Sequence, residues 1–376
     1  MALGTIDRTA LQRQVVQPND SSRATVAPEI VRARAMLLGA GAIWGTYPVV
    51  LRALYAAPGP TLPPLFIVAV RFQLTSLLFA AANSGSQFLA SRGQPPQAYG
   101  GSLPFPPRQR TAAVRCSCEK CEVVPSRQLR RAGAELACVG LVGNFLSVWG
   151  ISKVAATLAE TLLGCVHIFV PLLSVAMGGW CAVGLRTWQA CALSFLAVCV
   201  AAVGSSGVVL GVSGASHYLG LAALVGAAGL YSLARVRTSV HVGVRRIDPQ
   251  ALNRQRMGSM GGLATGALVT DAVVHAGPSR VILSSLFLIT PMQWALILTS
   301  CVASGFLGSS LQFQAQKVVP AASSQPFFAL QPLFACGWTW LFLSEPIAPS
   351  MLTSGAMMVG GALLASTDAQ RVEKDA

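Results

Sequence analysis

Apolar residues in this chain gather into long runs, and polar or basic residues fall between them. Ten runs can be marked: 35–57, 63–83, 132–152, 156–182, 187–209, 217–238, 251–275, 292–315, 322–344 and 350–367. About 20 residues at 1.5 Å each cross a hydrocarbon core as a helix. The pattern therefore predicts an all-α polytopic membrane protein with ten transmembrane helices. The stretch Lys317–Pro346 is the most informative, because residues 318–344 carry no charged side chain. Ser324, Gln331 and Trp338 follow at i, i+7 and i+14 and share one face of a helix. Pro332 breaks its middle, and Glu345-Pro346 ends it. A polar stripe on a spanning helix needs a cavity or a neighbouring helix to point at. Trp338 and Trp340, near the end of the run, are expected at the membrane interface.

Composition supports the membrane reading. The chain is 53% hydrophobic and 11% charged, with mean hydropathy +0.59, whereas soluble domains carry roughly 25% charged residues. The net charge of +14 does not indicate nucleic acid, because the basic residues sit in the connections. With the N-terminus on the cytoplasmic side, that side holds 23 Lys and Arg, against two on the other, Lys153 and Arg280. Such asymmetry is the positive-inside rule. Both termini are expected on the cytoplasmic side, or the equivalent stromal or matrix side; plasma membrane and organellar envelope are both open. Residues 1–34 read as a cytoplasmic tail or an organellar presequence, and 368–376 as a second tail. Residues 84–131, with the Pro- and Gly-rich stretch 91–107, read as a cytoplasmic insertion. Seven of the ten cysteines lie in apolar runs and read as small buried hydrophobes.

The two halves, 35–209 and 210–367, resemble each other. Lys153-Val154 precedes a small-residue run and Pro171; Lys317-Val318 precedes another and Pro332. An odd number of helices per half inserts the second copy upside down. Inverted repeats with interrupted helices point to a site at the repeat interface near the midplane.

These residues resemble the drug/metabolite transporter superfamily, specifically its EamA-type ten-helix members. The resemblance is carried by Ala42-Ile43-Trp44-Gly45, Ala69-Val70-Arg71-Phe72, Phe169-Val170-Pro171-Leu172-Leu173-Ser174, Gln331-Pro332-Leu333-Phe334 and Leu343-Ser344-Glu345-Pro346. It covers roughly 35–367 apart from the insertion. The resemblance implies two inverted five-helix repeats, a central cavity and movement of small metabolites. It also implies a glutamate at the end of the fourth helix, where Gly184 stands instead.

Candidate site residues follow from polar groups inside apolar runs. Glu160, Gly164, His167, Pro171 and Ser174 are spaced 4, 3, 4 and 3 apart, on one helical face. Glu160 and His167 are candidates for coupling, or Glu160 for a helix end in interfacial water. Arg71, inside the second helix, is a candidate anion ligand or a structural cation. Trp44 and Tyr47, with Tyr231 and Arg235 at the corresponding place in the other half, could line a cavity. Asn144, Gln312, Ser324 and Gln331 either face it or bond between helices. Arg254 and Arg256 are expected at the mouth of the seventh helix, and Gly258, Gly262 and Gly266 as its packing steps. Cys116, Cys118 and Cys121 could hold zinc or copper(I) but lack a fourth ligand nearby, so an incidental or redox cluster is the favoured reading. No cofactor is implied, and no catalytic constellation is present.

The expected function is secondary transport of small organic metabolites by alternating access, proton-coupled or exchange-driven. The alternatives are an antiporter of phosphorylated or nucleotide-linked sugars, and a non-transporting scaffold that uses the 84–131 loop. Expected partners are a solute and the bilayer, not nucleic acid, with a homodimer left open.

Overall fold

The computed structural model describes residues 20–91, 126–154, 159, 162–178, 183–206, 215–274, 289–343 and 349–375. Regular structure among them is helical throughout. The helices are α1 (Asp20–Ala56), α2 (Pro64–Ser91), α3 (Ser126–Ile151), α4 (Val166–Gly178), α5 (Leu185–Ser206) and α6 (Ala215–Ser239). They continue with α7 (Pro249–Val274), α8 (Pro291–Ser300, extended through Cys301–Gly308 and Ser309–Ala315), α9 (Ala321–Phe328), α10 (Gln331–Leu343) and α11 (Pro349–Asp375). Among the described residues, six spans are long and apolar enough to cross a membrane: Pro28–Ala56, Pro64–Ser84, Ser126–Ile151, Ala215–Val244, Pro249–Val274 and Pro291–Ala315. Large apolar side chains such as Leu77, Leu196, Val273, Leu298, Phe342 and Leu352 point outward. That outer surface suits lipid rather than water.

Prolines punctuate the starts. Pro64, Pro249, Pro291 and Pro349 each open a helix, where the missing N–H costs nothing. Thr290 caps α8, accepting from the Gln293 N–H at 3.3 Å, while the Gln293 side chain accepts from the Thr290 N–H at 3.1 Å. The same two side chains donate to Pro58 and Pro60 carbonyls. The turn between α1 and α2 is thereby clipped to the start of α8. Gly59 in that turn has φ +130°, a conformation that favours glycine.

Two long apolar runs are interrupted, but not at the prolines that suggested it. The run 156–182 turns at Gly164–Cys165, and α4 then continues through Pro171. The run 322–344 turns at Ala329–Leu330, between α9 and α10, so Pro332 falls in the first turn of α10. The single faces read through His167 and through Ser324, Gln331 and Trp338 therefore do not exist as continuous stripes. Trp338 is not simply an interface anchor: its Nε1–H donates to the Ala42 carbonyl at 3.0 Å, joining α10 to α1. Trp340 is exposed, as a belt residue would be.

On α7 the expected packing step at Gly258 faces α2, with an added Cβ 3.5 Å from Ser76 Oγ, and Gly261 packs more tightly still, with an added Cβ 2.8 Å from Gln73 Oε1. Gly262 and Gly266 have open space, because they face away from α2.

Candidate functional site

Helices α1, α2, α3, α6, α7 and α8, with the two interruptions, enclose a cavity of about 140 Å³. The turn at Gly164 brings Leu163, Gly164, Val166 and His167 to it; the start of α10 brings Gln331 and Pro332. Gly45 on α1 makes the second approach possible: a Cβ there would lie 2.9 Å from the Ala335 nitrogen and 3.0 Å from the Gln331 carbonyl oxygen.

Trp44, Tyr47, Arg71, Asn144, His167, Tyr231, Gln312 and Gln331 all line this cavity. Ser324 does not; it is fully buried, and its hydroxyl donates to the Ala321 carbonyl at 2.7 Å. Glu160, Cys116, Cys118, Cys121 and Glu345 lie outside the described residues.

Arg71 is the best-anchored group. It is 6% exposed. Its Nη1 donates to Asn144 Oδ1 at 3.1 Å, and its Nη2 to Ser304 Oγ at 2.9 Å. The Tyr47 ring lies 4.2 Å from its guanidinium carbon, a cation–π distance. Asn144 is itself held, donating to the Gly140 carbonyl at 2.8 Å. Ser304 sits in the π-helical stretch Cys301–Gly308 of α8. Such wide turns are frequent at functional sites. Here the backbone carbonyl of Ser304 accepts from Trp44 Nε1 at 3.1 Å, while its hydroxyl serves Arg71.

Two further arginines line the cavity. Arg235 donates from Nη1 to Gln325 Oε1 at 2.9 Å and lies 4.5 Å from the Phe328 ring centre and 5.4 Å from that of Trp44. Arg256 faces the Phe313 ring at 5.5 Å. It is not at the mouth of its helix, because α7 begins at Pro249 and two turns precede it; Arg254 is the exposed one. Among the described residues, the Nε atoms of Arg71 and Arg256 and Nδ1 of His167 are buried without a hydrogen-bond partner.

Among the described lining residues there is no Asp or Glu. The contrast with Arg237, two residues beyond Arg235, is instructive. Arg237 makes a two-pronged pair with Glu135 on α3 through Nε and Nη2, and His241 Nε2 lies 3.3 Å from the same carboxylate. Among the described residues, a cation facing α3 is thus neutralised, while the partners of the three facing the cavity are amides, hydroxyls and rings. Each cation at membrane depth costs about 2.5–3.5 kcal/mol on insertion scales.

The sequence pointed to most of this set. It missed Ser147, Thr238, Ser304 and Ser309, which share the cavity, because small hydroxyls in apolar helices usually bond their own backbone.

Comparison with known proteins fits this geometry. The model of the EamA-like transporter family matches residues 218–367. That match, confined to the second half of the chain, is consistent with the drug/metabolite transporter superfamily that the short motifs suggested. A solved structure described only as "Crystal structure of protein" is 13% identical, covers 91% of this chain and 98% of its own, and superposes with a TM-score of 0.61. That likeness concerns the fold alone. No curated protein matches. The family match and the long apolar helices make this an integral, multi-pass membrane protein of a transporter class.

Proposed function

We propose that this protein is a ten-helix secondary transporter that carries a small organic anion by alternating access. The observation behind the reading is the cavity's charge: Arg71, Arg235 and Arg256 line it with His167, and no described carboxylate opposes them. This favours a phosphate- or carboxylate-bearing metabolite over a neutral or cationic one. It moves the phosphorylated-solute antiporter from alternative to preferred form. Exchange of one anion for another is the natural drive, since a cationic cavity is costly to reorient empty.

The packing supports two inverted repeats, 35–209 and 210–367, with both termini on one side. Counting the α9–α10 pair as the ninth helix and α11 as the tenth, the larger helix contacts have counterparts five helices on. α3 packs on α6 as α8 packs on α1, and α4 on α6 as α9 and α10 on α1. α2 packs on α7, α5 on α11 and α4 on α9, each pair its own counterpart. The fourth and ninth helices are the two interrupted ones, and interrupted helices at matching places are a transporter device. Glu160 remains the proposed proton-coupling residue; pH-dependent uptake unchanged in Glu160→Gln would remove it.

The test is counter-exchange in proteoliposomes. Vesicles loaded with a phosphorylated or carboxylate metabolite should take up labelled anion from outside. Exchange of cationic or neutral solutes only, with anions inert, would sink the reading.

A further inference from the structure

Arg71 lies seven residues after Pro64, which opens α2; Arg256 lies seven residues after Pro249, which opens α7. Under the exchange of halves that relates α2 to α7, the two arginines are equivalent. They also meet at the same place. The Arg71 guanidinium bonds Asn144 on α3. The Arg256 guanidinium lies against Gly140, where an added Cβ would come within 3.2 Å of its Nη2. Gly140 and Asn144 are one turn apart on α3, joined by the Asn144 side chain's bond to the Gly140 carbonyl. The two cationic heads thus meet α3 at residues about 6 Å apart along its axis.

Resting on the anion reading above, we infer that Arg71 and Arg256 form one oxoanion site, in which a single phosphate or carboxylate group bridges the two repeats. Both arginines keep a buried Nε donor that no group among the described residues accepts, and Arg71 is more than nine-tenths buried. Like charges at this spacing repel, and a group with two or more acceptor oxygens between them removes the repulsion and fills both donors at once. Tyr231 lies within electrostatic reach of both heads. Arg235 is differently placed: Gln325 takes one of its donors and two rings flank it. It faces the remainder of the solute. Because the site draws one arginine from each repeat, binding ties the repeats together. An empty carrier lacks that tie, which couples return to a second anion and gives exchange.

The test is binding of inorganic phosphate to the full-length protein in phosphatidylcholine nanodiscs, read as thermal protection, with acetate and choline as comparison solutes. Arg71→Gln and Arg256→Gln should each weaken phosphate binding at least tenfold. The double variant should be weaker than either by no more than threefold, since each has already lost the bridge. Arg235→Gln, which removes a charge from the same cavity but not from the bridge, should cost threefold or less. A loss in Arg235→Gln equal to that in Arg256→Gln, or losses that multiply in the double variant, would overturn the bridge while leaving an anion carrier. Protection by choline and by neither anion would overturn the anion reading itself. Protection by phosphatidic acid in the nanodisc that inorganic phosphate does not reproduce would assign the arginines to a lipid headgroup and overturn the inference. Should Arg256→Gln fail to fold, Arg256→Lys keeps the charge but not the fork; it should bind at least threefold more weakly, and wild-type affinity there would overturn the bridge.

Discussion

Arg71 and Arg256 occupy the same register in their two helices, yet the fold treats them differently. Arg71 is bonded by Asn144 and Ser304 and covered by Tyr47. Arg256 has a ring, Phe313, and a gap made by Gly140. The difference teaches that a repeat duplicates a position, not its surroundings. One arginine both organises α2, α3 and α8 and faces the cavity; the other mainly faces the cavity.

Substitution should separate those roles. Arg71→Gln leaves Asn144 and Ser304 without their charged donor, and a bond of that kind is worth about 1.5–3 kcal/mol. It should lower the thermal unfolding midpoint and reduce uptake at least tenfold. Arg256→Gln should reduce uptake comparably with the midpoint nearly unchanged. Equal loss of stability in both would erase the distinction.

Next in size is overpacking around Arg71's support. A Cβ at Gly308 would lie 2.5 Å from Trp44 Nε1, against the indole that stacks on Phe328 at 5.3 Å. Gly308→Ala should cost about 1–3 kcal/mol, read as a lower unfolding midpoint, with weaker transport. The α7 glycines give an internal control. Gly261→Ala presses on Gln73 and should destabilise by a similar amount, whereas Gly262→Ala, in open space, should be neutral or gain up to about 1 kcal/mol from helix propensity. The smallest effect is expected at the Glu135–Arg237 pair. Glu135's side chain is 37% exposed, and exposed pairs contribute roughly 0–1 kcal/mol. Glu135→Gln should shift the midpoint slightly and leave uptake near wild type.

Much of the helix plan was legible. Charge-free runs of membrane-spanning length can do little else, and an arginine or asparagine within them has to face something polar. That ground, with the matching places of Trp44, Tyr47 and Tyr231 in the two halves, offered these three and Arg71, Asn144, His167, Gln312 and Gln331 as candidates, and all eight line one cavity. Ser324 was misread because a serine in a helix can satisfy itself on its own backbone, as it does on Ala321. Arg256 was misplaced because hydropathy does not reveal where a helix starts when its first turns are polar. The breaks at Gly164–Cys165 and Ala329–Leu330 were drawn to nearby prolines, but Pro332 sits in the first turn of α10, where a helix tolerates it, and α4 runs on through Pro171.

By itself the sequence determined an all-helical membrane protein, its long spans and the polar residues those spans carry. Burial of apolar surface and the membrane cost of charge act locally along a chain, so they are written in its order. Only the tertiary structure decided which cations receive a carboxylate and which are left to the cavity. Arg235 and Arg237 are two residues apart, and nothing in their neighbourhood along the chain distinguishes them. Their fates depend on which helix stands opposite: α3 brings Glu135 to Arg237, and α9 brings an amide, Gln325, and a ring, Phe328, to Arg235. The same holds for Arg71 and Arg256, set 185 positions apart in the chain and brought to neighbouring turns of α3 by packing alone.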